Sequence, residues 1–397
     1  MPPPGGYSLT KSRSRYVSAK TTIPVPKVHA YSFSHGSPIG TAFIVMEYIE
    51  GQSLQELGFR KVADFDQTFY KPAKLTKRLY DQLSDVYIQL RQLEFPSIGA
   101  LGVRNPDGSP LHTRNPDEIE VLHRPLSVEV ALQQYEGLDP GAKLPPKKTF
   151  STAREFVEFL LWLSDNELEK SPDPCMDKRG GRDILYARYY FRRFILDNWI
   201  DSSSNTGPFV LMHGDILQHT NNLLFDKNVQ LVGVLDWEFS YVMPAQFVVP
   251  PLWLNGSKLE YLVHYPKWHS QEVKPLIASV KDREASLRIL PCLSQEWAKM
   301  ELKMPFQTGI AVALLNPDTI HDIFWCYLFY HNTQLKYPEG DYELFYTENI
   351  RPLLERFMQE SPERQSFLQR KQAEQLQFFK DEMRYFKLER ERRLIEE

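Results

Sequence analysis

The sequence predicts an α+β fold, with short strands early and around residue 220 and helices over most of the remainder. Three stretches carry this expectation. "GTAFIVMEYIEG" (40–51) is an apolar run of β-formers closed by glycine, which reads as a strand. "AKLTKRLYDQLSDVYIQLRQL" (73–93) repeats apolar residues at 79, 83, 86, 87 and 90, the spacing of one buried helix face. "LMHGDILQHTNNLLFDKNVQLVGVLDWEFS" (211–240) sets two short apolar runs around a polar loop.

The remaining elements follow in order. Residues 1–20 are Pro/Gly-rich and then basic, with little to bury, so a disordered start is expected. In "TTIPVPKVHAYSFS" Pro24 and Pro26 enforce an extended backbone. "SLQEL" reads as a helix start with Ser53 as N-cap. Residues 103–150, rich in Pro, Gly and Asp, are expected to be loop-dominated. Helical patterns return in "TAREFVEFLLWLSDNELEKS" and "ILYARYYFRRFILDNWI". "FVLM" and "VQLVGVL" then read as buried strands, and "MPAQFVVPPLWL", broken by three prolines, as an ordered loop. Several helices are expected within 275–360. From 361 the chain is charge-dense and helix-favouring, with Leu376, Phe379, Met383 and Phe386 at 3–4–3 spacing. That run is short for a coiled coil, and a solvated helix with one side on the domain is the expectation.

Composition removes several function classes. The 397 residues can fill two or three cores, at ~100–200 residues per domain. A formal charge of −4 leaves no basic surplus to neutralise a nucleic-acid backbone, so no nucleic-acid partner is expected. Cys175, Cys292 and Cys326 form no CxxC pair, which argues against a disulfide framework or zinc site and suits a reducing compartment. The start holds no apolar stretch of signal-peptide length, and no run approaches the ~18 apolar residues of a membrane span. A cytoplasmic protein with no membrane partner is expected; the oligomeric state is open.

Two apolar strands flanking a polar loop, with a carboxylate at each critical end, suit metal-assisted phosphoryl transfer. That chemistry needs a carboxylate to orient or deprotonate a hydroxyl, and oxygen ligands to hold Mg²⁺ against nucleotide phosphates. "HGD…N…VLDWE" resembles the catalytic and metal-binding core of the aminoglycoside phosphotransferase family, relatives of the protein kinases. "TTIPVPKVHAY" with "AFIVMEYIEGQSL" resembles that family's strand, hinge and linker, and the resemblance spans roughly residues 20–355.

The resemblance implies a protein-kinase-like two-lobed fold: a partial small lobe and hinge (1–55), a mainly helical large lobe (56–360) and a charged helical tail (361–397). It implies ATP and Mg²⁺ as cofactors and a small-molecule hydroxyl as substrate. Asp215 matches the catalytic Asp, and Asp236 the Mg²⁺ ligand. His213 matches a structural loop histidine; Glu238 takes a supporting role and Trp237 packs. The metal Asn falls on Asn222, counting back from Asp236, although the loop is two residues longer than usual and Asn221 stands beside it. Glu47 and Tyr48 occupy the hinge beside the nucleotide. The phosphate-covering turn and strand Lys of the family have no counterpart, and Lys11, Lys20 and Lys27 read as surface lysines. Three readings therefore stand: an ATP-dependent small-molecule kinase, an inactive pseudokinase-like binding or scaffold protein, and, more distantly, a metal-dependent hydrolase using Asp215 and Asp236.

Overall fold

The structure is a computed structural model that describes residues 6–32, 37–61, 69–103, 116–171, 178–200, 202–255, 266–302, 306–336, 338 and 340–396. The chain divides into two compact units, residues 1–160 with 200–319 and residues 161–199 with 320–397.

The first unit opens with helix α1 (Gly6–Lys20), where the sequence suggested a disordered segment. Val17 and Arg13 are fully buried in it, so its basic composition conceals an inward face. Residues 1–5, the proline-rich part of that expectation, lie outside the described residues. Strands β1 (Val28–Ser32) and β2 (Phe43–Met46) then pair antiparallel, with Tyr31 opposite Ile44. Ser53 and Glu56 form the reciprocal hydrogen bonds of a capping box, Ser53 N–H to Glu56 Oε2 at 2.7 Å and Glu56 N–H to Ser53 Oγ at 3.3 Å. No helix follows. The turn ends at Gly58, whose φ of +89° takes the chain out of helical geometry.

Strands β3 (Arg60–Lys61) and β4 (Phe69–Tyr70) form a short pair ahead of helix α2 (Ala73–Arg91). The face read from the sequence is the buried one: Leu79, Leu83, Val86, Tyr87 and Leu90 are at most 2 % exposed. After β5 (Glu94–Phe95), residues 103–150 depart from the loop expectation. Strand β6 (Ala100–Val103) pairs with β7 (Ile119–His123), and helix α3 (Val128–Tyr135) follows, capped by the Ser127 hydroxyl. A Cβ on Gly102 would lie 2.4 Å from the His123 ring, so a glycine there permits the close contact with β7.

Helices α4 (Ala153–Lys170) and α5 (Lys178–Phe194) appear where the helical patterns fell, α5 continuing into a π-helical turn Ile195–Trp199. Strand β8 (Phe209–His213) is buried at every residue and sits between β5 and β11 (Ser240–Pro244) in a three-stranded antiparallel sheet. The "FVLM" strand thus pairs with residues after "DWEF", not with "VQLVGVL". The latter supplies β10 (Leu231–Val234), which closes a separate hairpin with β9 (Leu223–Phe225). Helix α7 (Pro266–Leu287) packs across α2.

The second unit is helical. Its core gathers aromatic rings from α5 and the later helices: Tyr186 stacks on Trp325 at 5.7 Å and meets Phe357 edge-on at 5.3 Å. It ends in the C-terminal helix Pro362–Glu396. Among the described residues, no helix is long and apolar enough to cross a membrane.

Candidate active site

The site is built where two chain reversals meet. Register places His213, the last residue of β8, opposite Ser240, the first of β11. The segments leaving and entering this sheet, "HGD" and "DWEF", are therefore neighbours because β8 and β11 pair.

The polar loop after β8 begins as a short helix, α6 (Gly214–Gln218), because His213 caps it: Ile216 N–H donates to Nδ1 at 3.4 Å. Across the ring, Nε2–H donates to the Leu235 carbonyl at 2.7 Å. Accepting at Nδ1 while donating from Nε2 requires the neutral imidazole, and complete burial pushes its pKa down to about 4. The ring also meets Trp237 edge-on at 4.8 Å. One histidine thus ties the Asp215 segment to the Asp236 segment. Gly214 closes the fit: a Cβ there would stand 2.9 Å from the Phe239 carbonyl oxygen.

The β9–β10 hairpin brings in the other half of the site. Leu235 N–H donates to the Asn222 carbonyl at 2.8 Å, so Asn222 and Asp236 lie at the same open end of this hairpin. Asn222 Nδ2 donates to Asp215 Oδ2 at 3.1 Å. Asn221 is an exposed turn residue. Asp236 holds a left-handed backbone (φ 55°, ψ 64°), an uncommon conformation for a non-glycine residue, as the chain turns into a 3₁₀ turn Trp237–Phe239. Trp237 is buried and anchors the turn through Nε1–H to the Val234 carbonyl at 2.9 Å.

Three carboxylates share this region and each is harder to ionise than usual. Asp215 is pushed up to about 6, by partial burial first and then by the charge of Asp236; His219 and the Asn222 bond pull the other way. Glu238 is raised to about 7 by burial and by both Asp236 and Asp215. Asp236 keeps solvent contact, yet enough protein crowds its carboxyl to raise it as well, against a backbone hydrogen bond from Glu238.

The counter-charge comes from a residue that sequence reasoning missed. Arg13 of α1 is fully buried and donates from one guanidinium nitrogen to the carbonyls of Trp237, at 3.2 Å, and Glu238. Its Nε and other terminal nitrogen have no partner among the described residues. Burial lowers its pKa to about 9, offset in part by Glu238.

Glu47 and Tyr48 are exposed at the end of β2, with Tyr48 89 % accessible. Glu47 N–H donates to the Lys27 carbonyl at 2.8 Å. The chain then runs along the hairpin: Gln52 and Phe225 exchange backbone bonds at 2.7 and 2.9 Å, and a Cβ on Gly51 would meet Leu224 at 2.8 Å. The Glu47–Tyr48 segment is thus fixed to the same hairpin that presents Asn222 and Asp236. His219 is exposed, and Lys20 and Lys27 lie on the surface, Lys20 paired with Asp117. The side chain of Lys11 lies outside the described residues.

A cavity of about 30 Å³, lined by Met212, Gly214, Leu217, Tyr241 and others, lies behind His213. None of Asp215, Asn222 or Asp236 lines it. Among the described residues, no three His, Cys, Asp or Glu side chains already converge as a cage for a metal. Mg²⁺ does not require one: it takes one or two carboxylates and completes its octahedron with water and phosphate oxygens. The hard oxygens of Asp236 and Asn222 at one hairpin mouth, among carboxylates whose mutual repulsion a cation would relieve, fit that pattern.

The sequence model of the phosphotransferase enzyme family matches residues 13–247. A curated relative, the clavilactone A biosynthesis cluster protein Y of Ampulloclitocybe clavipes, is 26% identical over 249 residues, covering 61% of this chain and 51% of that protein. The chain spans about half the length of this relative. Among solved structures, aminoglycoside phosphotransferase APH(4)-Ia aligns at 13% identity and a TM-score of 0.36, over 80% of this chain and 79% of that one. The GDP complex of wild-type aminoglycoside 2'-phosphotransferase-IIIa aligns at 13% identity and a TM-score of 0.35, over 80% of this chain and 84% of that one.

Proposed function

The chain belongs to the phosphotransferase enzyme family, and from that premise we propose that it transfers the γ-phosphate of ATP to a hydroxyl of a small molecule, with Mg²⁺. On this reading the fold is the protein-kinase-like α+β type, with residues 1–55 as small lobe and hinge, 56–360 as large lobe and 361–397 as tail. The observation that carries it is the Asn222–Asp215 hydrogen bond at the mouth of the hairpin that ends in Asp236. That bond and that hairpin support reading Asp215 as the base, with Asn222 and Asp236 as the metal ligands.

Asp215 orients the acceptor hydroxyl and takes its proton as the O–P bond forms. Asn222 holds Asp215 in position through Nδ2, while its Oδ1 and the Asp236 carboxylate would hold Mg²⁺. When bound, Mg²⁺ neutralises charge on the nucleotide phosphates. Glu238 adds negative potential beside Asp236, and Arg13, bonded behind the turn, limits its cost. His213, neutral and bonded at both nitrogens, stays outside the proton transfer. Glu47 and Tyr48, at the hinge, would neighbour the adenine.

The test is Mg²⁺-dependent ADP formation by the full chain with a panel of hydroxyl acceptors: amino sugars, simple sugars, amino alcohols and hydroxy acids. The expected result is acceptor-dependent turnover that disappears in Asp215→Ala. Binding of Mg·ATP without turnover, under any acceptor, would instead favour a binding protein. Failure to bind Mg·ATP at all would remove the proposal.

A further inference from the structure

The C-terminal helix Pro362–Glu396 changes its surroundings along its length. Its first turns dock on the second unit: Leu368, Lys371 and Gln375 are buried, and Lys371 donates to the carbonyls of Glu169 and Ser171 at the end of α4. From Leu376 to Lys387 every residue is exposed. Yet Leu376, Phe379, Met383 and Phe386 are 62, 43, 70 and 59 % accessible, on one stripe of the helix. An apolar stripe at 3–4–3 spacing is the pattern of a coiled-coil seam, with Leu376 and Met383 at a and Phe379 and Phe386 at d.

The flanking charges identify what covers it. In that frame Lys380 and Lys387 fall at e, and Glu382 falls at g. None of the ion pairs among the described residues uses these three side chains. We propose that residues 376–387 are a homodimerisation seam, occupied by the same helix of a second copy of this chain in parallel orientation. In a parallel pair a g residue faces the e residue five positions on in the other helix. Glu382 of each copy then meets Lys387 of the other, twice by symmetry. An antiparallel pair sets e against e and puts lysine beside lysine, which the charges oppose. Phe378 and Tyr385, also exposed, fall at c and stay outside the seam.

The seam is short, and its position explains how it suffices. An isolated helix below ~12–15 residues is marginal because nucleation is costly. Here the docked turns around Leu368 and Gln375 already hold the helix, so association adds contacts to an element that exists. The Phe and Met side chains lose water on pairing, and a Phe at each d layer supplies most of that area.

Sedimentation equilibrium of the full chain tests this. A reversible dimer is expected at micromolar concentration, and Met383→Glu, at an exposed position that leaves the fold intact, should make it monomeric. Glu382→Lys should weaken the dimer by about tenfold, as two like-charge contacts replace two ion pairs. Combining Glu382→Lys with Lys387→Glu should restore it. Orientation is read from Met383→Cys, which should cross-link copy to copy under mild oxidation beyond the level of the parent chain. A monomer at all concentrations, a dimer indifferent to Met383→Glu, or failure of the charge swap to rescue would each overturn the proposal.

Discussion

On the proposed reading Asp215 takes the acceptor proton, and its environment sets the terms. With its pKa near 6 it is partly protonated just below neutrality, and only its ionised form can take a proton. Asp215→Ala should lower kcat by ~10²–10⁴-fold with folding unchanged; full turnover in the variant, measured as ADP release, would remove the assignment. Glu238 yields a stability prediction. Its folded pKa, about 7, lies above the ordinary carboxylate value, so between roughly pH 4.5 and 7 the folded chain binds more protons than the unfolded one at this position. Its contribution to stability is therefore most favourable at low pH and declines as pH rises through that window. Glu238→Gln should raise the melting temperature over the parent at pH 8, and the difference should vanish below about pH 4.5. A gain that persists in acid would assign the effect to packing instead. Gly214 is constrained by space: with the Phe239 carbonyl 2.9 Å from a would-be Cβ, Gly214→Ala should destabilise by ~1–3 kcal/mol in chemical denaturation.

Among elements, the β9–β10 hairpin does most to assemble the site. It is short, pinned at its base by the Asn222 carbonyl to Leu235 N–H and along its side by Gln52 and Phe225. Two adjacent asparagines stand at its mouth, and the pairing turns only one toward Asp215. Asn222→Ala should raise the Mg²⁺ concentration needed for nucleotide binding in calorimetry, and Asn221→Ala should change it little. If Asn221 proves the sensitive position, the metal assignment shifts by one residue. Helix α1 acts at longer range. Arg13 braces the carbonyls that follow Asp236, and a hydrogen bond from a charged group contributes ~1.5–3 kcal/mol. Arg13→Met should loosen the turn and weaken Mg²⁺-dependent binding, with Arg13→Lys recovering part of it because one donor and the charge remain.

At the scale of the whole molecule, ligand binding and stability are linked. A nucleotide held through Mg²⁺ stabilises the fold by RT ln(1 + [L]/Kd), about 2.7 kcal/mol at a hundredfold excess over Kd. Thermal melting should therefore rise with ATP and Mg²⁺ together, and much less with either alone. Asp236→Ala should abolish the rise while leaving the melting temperature without ligand at or above that of the parent, because one member of a mutually repelling set of carboxylates is gone. An equal shift with ATP and no Mg²⁺ would show that the phosphates are bound without the proposed metal ligands.

Local pattern was enough wherever neighbours in sequence are also neighbours in space. The α2 face follows from 3.6-residue periodicity, and "HGD" and "DWE" carry the resemblance to the family whose model matches residues 13–247. Other features depended on partners far along the chain. "SRSRY" reads as a solvated basic stretch, and Arg13 becomes a buried clamp only because Trp237 and Glu238, more than two hundred residues on, cover it. Ser53 and Glu56 make every local bond of a helix start, and Gly58 ends it after one turn. Residues 103–150 read as loop from their Pro, Gly and Asp content, yet Ile119–His123 forms a strand because Ala100–Val103 pairs with it. The sequence by itself determined which residue types could do chemistry and the faces of the long helices. Only the tertiary structure decided which strands pair, which asparagine meets Asp215 and which cation sits behind the carboxylates, because those outcomes depend on packing between segments that no local periodicity connects.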